Sequence, residues 1–326
     1  MTHIKLTEVA LHHPLHSVQN DYFIQHFDEK GKDIRNLLQH IGRDNRYRIN
    51  DANENGLTMA IQAATKVLEK EQLTGEDIDL IIYSTQVPEQ SIPMNAMFIH
   101  QAIQGKHRAL AYDLNANCAG MSVAVEEASR TMLSNPRMQR ALIIGSDHFS
   151  PILSPDDEVS YPFFGDLAVA VILEKTEEIT GFMDAIHYID STDPTNMMFP
   201  AKGLANLIAG NTDSYMHTAP FDDSEMYPHV YDSIREILQQ HNLSPADVKC
   251  CFSQSNKANL KMIQDKIGFS EDQFIFVADQ FGYTGTSSPF LALHEGIRTG
   301  VIQRGDYVLF WTIGTGYEFI TMLYQY

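Results

Sequence analysis

Between residues 57 and 71, LTMAIQAATKVLEKE, apolar side chains recur every three to four positions, which predicts a helix with one buried face. The segment that follows, DIDLIIYSTQ (77–86), carries a short β-rich apolar run and predicts a buried strand. The same order returns about 170 positions later: SIREILQQHNLSPADVKCCFSQSN (233–256) again runs helix, Leu-Ser/Thr turn, Asp, buried strand and polar exit. A second pair, NCAGMSVAVEEASRTMLSNPRMQRALIIGSD (117–147) and GTSSPFLALHEGIRTGVIQRGDYVLFWTIGT (285–315), shares small-residue turn, helix, basic turn and apolar strand. Two copies of such units imply a duplicated α/β chain with parallel or mixed sheets covered by helices. Sites are then expected at the carboxyl ends of strands. The halves are 1–175, carrying the candidate nucleophile below, and 176–326. The second is interrupted near 180–227, where DSTDPTNMMFPAKGLANLIAGNTDSYMHTAPFDDSEM reads either as an excursion capping a pocket or as a plain surface loop.

The chain has 326 residues, 44% of them hydrophobic, enough for a large core or two packed units. Its formal net charge of -19 argues against a nucleic-acid surface, because no stripe of Lys and Arg is present for counterion release. No stretch approaches the ~18 apolar residues of a membrane span, and MTHIKLTEVALHHPLH lacks the basic start and apolar centre of a signal peptide. A cytoplasmic protein is expected. Three cysteines cannot all pair, and Cys250 and Cys251 adjoin within an apolar run, so the thiols are expected to be reduced.

Cys118 stands at a seam. RALAYDL ends as a strand and GMSVAVEEASRTM continues as a helix, which places the sulfur just before a helix N-terminus. Exposed N–H groups and the helix dipole there favour thiolate, the nucleophilic form. A small buried hydrophobe is the other reading of such a cysteine.

The segments DLNANCAGMSVAV, ALIIGSDHFS, FFGDLAVAVILEK, NKANLKMI, FGYTGTSSPFLAL and GDYVLFWTIGTGYEF occur in the order and approximate spacing of the ketoacyl-acyl-carrier-protein synthase III family, and the resemblance covers nearly the whole chain. It implies the thiolase fold, a duplicated five-layered α/β/α/β/α architecture, and a homodimer. Cys118 falls on the family's acyl-accepting cysteine. The resemblance implies that its thiolate attacks an acyl thioester carried by acyl-carrier protein or coenzyme A. The oxyanion would be held by the backbone N–H groups of Cys118 and, in the IGTG turn, Thr315.

Two side chains depart from the family pattern. Aligned through Ala258, Asn259 and Leu260, Asn256 takes the place of the family histidine; aligned through Gly282, Tyr283 takes that of its asparagine. An amide can donate a hydrogen bond but cannot exchange a proton near neutral pH as imidazole does. A tyrosine hydroxyl is ordinarily neutral at pH 7 but can donate. The family clasps the coenzyme A nucleotide with a Trp and two Arg; here those positions read Asn36, His40 and Glu158, and the single tryptophan, Trp311, lies elsewhere. Asn259, retained from the motif, is grouped with these as substrate-binding. Arg43, Arg46 and Arg48 read as a solvated basic loop, the other reading being replacement charge for the nucleotide.

Cys250 and Cys251 read as core residues, and adjacent His12 and His13 as poor metal geometry. Met197 and Met198 read as loop anchors or as the lining of an adaptable acyl pocket. The chain is thus expected to be an acyltransferase that loads Cys118 and passes the acyl group on, without metal or other cofactor. The alternatives are a decarboxylative condensing synthase, or a silent partner subunit in which Cys118 is a remnant.

Overall fold

Asn55 starts the first repeat. Its side chain accepts from Thr58 N at 2.9 Å while Thr58 Oγ1 accepts from Asn55 N at 2.8 Å, a reciprocal cap that satisfies donors the helix leaves open. Helix α1 (Gly56–Glu71) follows. A 3-10 turn, Gly75–Asp77, leads into the first parallel strand of the chain; the Asp77 carboxylate accepts from Thr74 N at 2.8 Å. In the second copy, helix α3 (Tyr227–Gln240) is followed by the turn Pro245–Asp247, where Asp247 accepts from Ser244 N at 2.7 Å. The repeated Ser/Thr…Asp spacing read from the sequence is therefore a repeated capping box.

The structure is a computed structural model that describes residues 2–219 and 222–326; Pro220 and Phe221, inside the excursion, lie outside the described residues. The first sheet takes β1 (His3–His12), β2 (Leu80–Ser84), β3 (Leu110–Leu114), β4 (Arg140–Asp147) and β5 (Leu167–Thr176) in the order β1-β5-β4-β2-β3. The second takes β6 (Gly181–Ile189), β7 (Val248–Phe252), β8 (Tyr307–Gly314) and β9 (Glu318–Gln325) in the order β6-β9-β8-β7. The orders superpose strand for strand. β2 pairs with β3 and β4 in parallel, and β7 with β8; the β4–β5 and β8–β9 pairs are antiparallel. At the place of β3 the second sheet has only an isolated parallel bridge between Cys250 and Phe274.

Helices α2 (Gly120–Ser134) and α5 (Ser288–Arg298) lie between the sheets. Met121, Val125, Phe290 and Leu291 pack there against Val169, Phe310 and Ile320 in one buried cluster. Ala60, Ala63 and Val67 of α1 cover the outer face of the first sheet, and Ile234 and Ile237 of α3 that of the second. Helix α4 (Lys257–Ile267) packs beside α3. The layers therefore read α/β/α/β/α, because the central strands Leu80–Ser84, Arg140–Asp147, Leu167–Thr176 and Val248–Phe252 are apolar on both faces and need helices over each. Cys250 and Cys251 are wholly buried in β7, as core residues should be.

Gly120 fixes how close α2 comes to the first sheet. A Cβ there would stand 2.3 Å from Ser84 Oγ, so only glycine lets the first helical turn rest on the carboxyl end of β2.

Candidate active site

β3 runs into the elbow that carries Cys118. Asn117 just before it has φ +47, left-handed backbone that asparagine tolerates better than most residues. Its Nδ2 donates to Thr315 O at 3.2 Å and to Glu318 Oε1 at 2.9 Å, which ties the elbow to the turn after β8. Cys118 and Thr315 thereby come to line one cleft of about 450 Å³. Asn256, Tyr283, His40 and Asn259 line it too, so six of the eight positions singled out in the sequence converge there.

Asn36 and Glu158 do not. Their neighbours Leu37 and Val159 face the cleft, but Asn36 is exposed on the helix Arg35–Ile41, and Glu158 is turned to Lys32 in an ion pair. The reading of Asn36 and Glu158 as part of the binding wall is corrected accordingly.

Cys118 is 6% exposed. Burial pushes its thiol up to about 12; the Tyr283 hydroxyl opposes this, the Asp147 carboxylate adds to it, and the Gln86 amide opposes it. The helix N-terminus does not by itself make a thiolate here, because desolvation of the charged form outweighs it. Gln86 Nε2 donates to the sulfur at 3.4 Å. That amide is held by buried Asp147, which accepts from Gln86 Nε2 at 3.0 Å, Gln86 N at 2.7 Å and Thr286 N at 2.9 Å. Burial also raises the Asp147 carboxyl above its usual range.

Tyr283 is buried, its hydroxyl near enough to the Cys118 sulfur for each to shift the other's acidity and 3.1 Å from Ser253 Oγ. Burial and the neighbouring cysteine keep it protonated. Its backbone is locked to the facing loop: Gly165 N donates to Tyr283 O at 2.9 Å, and Tyr283 N to Phe163 O at 3.1 Å. A Cβ on Gly165 would meet Phe281 O at 2.1 Å, which explains glycine at that close approach. Asn256 is the N-cap of α4, its Oδ1 accepting from Ala258 N at 3.0 Å. The cap engages the oxygen, and the NH₂ group is the side chain's only donor.

Arg43, Arg46 and Arg48 correct a second expectation. They are buried rather than solvated, at 1%, 0% and 8% exposure, and desolvation pulls their pKa values down. Arg43 lies over Phe163 at 4.6 Å and donates to Gln254 O at 2.9 Å; Arg46 donates to Pro162 O at 2.5 Å; Arg48 lies over Tyr161 at 4.6 Å. Carbonyls and rings thus brace the 161–163 segment that walls the cleft.

The excursion supplies Asn196, Met197, Thr218, Asp223 and Tyr227 to the same cleft, so the capping reading holds over the surface-loop reading. Met197 faces the cleft, and the Met197–Met198 strand pairs with His217–Thr218. Trp311 also lines it, from β8. Sequence reasoning missed Gln86, Asp147 and Ser253. A signal existed, since each stands at the carboxyl end of a predicted strand, where the fold rule places sites. His12 pairs with Glu54 and His13 stacks on Tyr47 at a centroid distance of 3.9 Å. Among the described residues no three His, Cys, Asp or Glu side chains converge on a metal position.

The acidity of Cys118 is testable by alkylation. Below a pKa of about 12 the thiolate fraction grows tenfold per pH unit. Iodoacetamide should therefore label Cys118 about tenfold faster per unit from about pH 7 to pH 10. Tyr283→Phe removes a donor to the thiolate and should slow labelling at every pH. A plateau below pH 9, read by peptide mass, would contradict the burial argument.

The duplicated architecture, with a cysteine at the elbow of the first half, is the thiolase fold. The model of the 3-oxoacyl-[acyl-carrier-protein] synthase III family matches residues 112–191, and that of the same family's C-terminal part matches 238–326, together more than half of the chain. The chain belongs to this family. It is 28% identical over 277 residues to the β-ketoacyl-[acyl-carrier-protein] synthase III of Solibacter usitatus, covering 82% of this chain and 83% of that one. With the synthase III of Clostridium perfringens it shares 27% identity over 323 residues, 97% of each chain. The crystal structure of the Pseudomonas aeruginosa 3-oxoacyl-(acyl carrier protein) synthase III superposes with a TM-score of 0.88 at 21% identity, over 99% of this chain and 98% of that one. No described helix is long and apolar enough to cross a membrane.

Proposed function

We propose that this protein is an acyltransferase that takes an acyl group from a thioester onto Cys118 and passes it to an acceptor other than a decarboxylating malonyl group. The observation that carries this reading is the pairing of a buried cysteine with hydroxyl and amide donors, Tyr283 and Gln86, while an N-capping asparagine stands where imidazole would serve condensation. In the first step the Cys118 sulfur attacks the thioester carbonyl, the C–S bond to the enzyme forms as the donor's own C–S bond breaks, and the Cys118 proton ends on the departing thiol. Tyr283 donates to the sulfur as charge gathers there and again as it leaves. The N–H groups of Cys118 and Thr315 hold the oxyanion. The protein works in the cytoplasm as a homodimer, with no cofactor.

Carrier-bound acyl groups are the better donors. Among the described residues no lysine or arginine lines the cleft, and near Val159 at its wall Lys30 and Lys32 are already engaged with Asp156 and Glu158. Coenzyme A phosphates therefore lack the basic partners they need. The specificity constant should be about tenfold higher for an acyl-carrier protein than for the coenzyme A thioester of the same chain. Equal constants would show a working nucleotide site. Intact-mass measurement after exposure to a panel of both donors tests acylation itself; absence of any adduct would favour a silent subunit. A condensing synthase is the second reading, and what favours it is the family to which the chain belongs.

A further inference from the structure

The cleft beside Cys118 is walled by aromatic and aliphatic side chains, and Asp223 is the one charged side chain among the described residues that line it. Its Oδ2 accepts from Tyr227 Oη at 2.8 Å and from Asn259 Nδ2 at 3.3 Å. Among the described residues no lysine, arginine or histidine pairs with it, so two neutral donors are all that offset a half-buried carboxylate. A second acceptor in the same wall lacks a donor altogether. Asn196 is 3% exposed, lines the cleft, and its Oδ1 has no hydrogen-bond partner. Tyr317 links the two: its hydroxyl bonds the Asn196 amide and donates at 2.7 Å to the carbonyl of Asp222, the neighbour of Asp223. A buried acceptor left open costs free energy unless a ligand supplies the donor.

We infer that the acceptor substrate is a primary amine, held as its ammonium ion by Asp223 and Asn196; this rests on the acyl-enzyme reading above. An ammonium group carries three donors, no acceptor and one positive charge, which matches a carboxylate and an open amide oxygen. A hydroxyl acceptor would leave the carboxylate uncompensated. A malonyl group would bring a second negative charge into an apolar cleft. The indole N–H of Trp311, also unpartnered and in the same cleft, is a donor and serves an acceptor atom elsewhere on the substrate.

The transfer balances without a further reactant. The ammonium ion loses one proton to water by way of Asp223. The free amine attacks the carbonyl of the Cys118 thioester and the C–N bond forms. Collapse breaks the C–S bond, and the surplus N–H proton ends on the sulfur, giving an amide and the free thiol.

Two measurements test this independently of each other. Binding of butylamine to the full-length Cys118→Ala protein is followed by ligand-observed NMR, without any acylation. It should be saturable, weakened about tenfold or more by Asp223→Asn, and restored by Asp223→Glu. In the second, acyl-enzyme on wild-type Cys118 is freed of donor and given butylamine, butanol or malonyl-N-acetylcysteamine. Release, counted per acylated Cys118, should saturate with butylamine, yield the N-butyl amide, and exceed that with the other two about tenfold or more. Asp223-dependent binding of butylamine, together with a wild-type Cys118 that no thioester donor acylates, would sink the acyltransferase reading and leave the ammonium site standing. Unsaturable binding, binding indifferent to both Asp223 variants, or faster release by butanol or the malonyl thioester would overturn the amine.

Discussion

Cys118→Ala should abolish the acyl adduct that the unmodified protein is expected to accumulate with a thioester donor. Cys118 is the one cysteine among the described residues that line the cleft, and a thiol is the strongest nucleophile there. Cys250 and Cys251 are fully buried in β7, where burial raises both thiols well above their ordinary value. An adduct that persists in the variant, or maps to either of those residues, would remove Cys118 from the reaction. The loss should be complete rather than partial, because the oxyanion donors are backbone N–H groups that stay in place yet form no covalent bond. Circular dichroism should be unchanged, since an alanine fits where a small buried side chain was.

The second large effect concerns decarboxylation. The unmodified protein should release carbon dioxide from a malonyl carrier about 10²–10³-fold more slowly than Asn256→His with Tyr283→Asn, the amount that one oxyanion-type donor is worth. Imidazole would supply a donor that an N-capping amide supplies poorly, and removing the tyrosine would open room for the extender carbonyl. The variant gives up something for this. Histidine caps less well than asparagine, and the loss of the Ala258 N contact should lower stability by about 1 kcal/mol, visible as a small drop in Tm. Rapid decarboxylation and a ketoacyl product from the unmodified protein, both dependent on Cys118, would return it to the condensing reading.

Much of the fold was legible. A helix of period 3.6 followed by an apolar strand appears twice, and the paired capping boxes at Thr74–Asp77 and Ser244–Asp247 are the same local chemistry in both copies. Such signals are read within a few residues of chain. What failed needed distances across the chain. Arg43, Arg46 and Arg48 look solvated as a string of charges, yet several of their partners are rings and carbonyls about 115–210 positions away, such as Tyr161, Phe163 and Gln254. Asn36 and Glu158 match by counting, but one residue of offset turns a side chain from a wall to the solvent.

The chemistry divides the same way. That residue 118 is a cysteine at a strand–helix seam, and that residues 256 and 283 are an amide and a phenol, is written in the sequence. How acidic that thiol is was decided by the tertiary structure, which buried it and set Gln86 and Asp147 around it from two strand ends and Tyr283 from the loop before α5. The role of the excursion was decided there as well, since nothing in its own residues says which cavity Asn196 and Asp223 face. The physical reason is one of range: capping, periodicity and residue chemistry act over a turn or two of chain, whereas desolvation and charge pairing depend on everything packed within a few ångströms, whatever its place in the sequence.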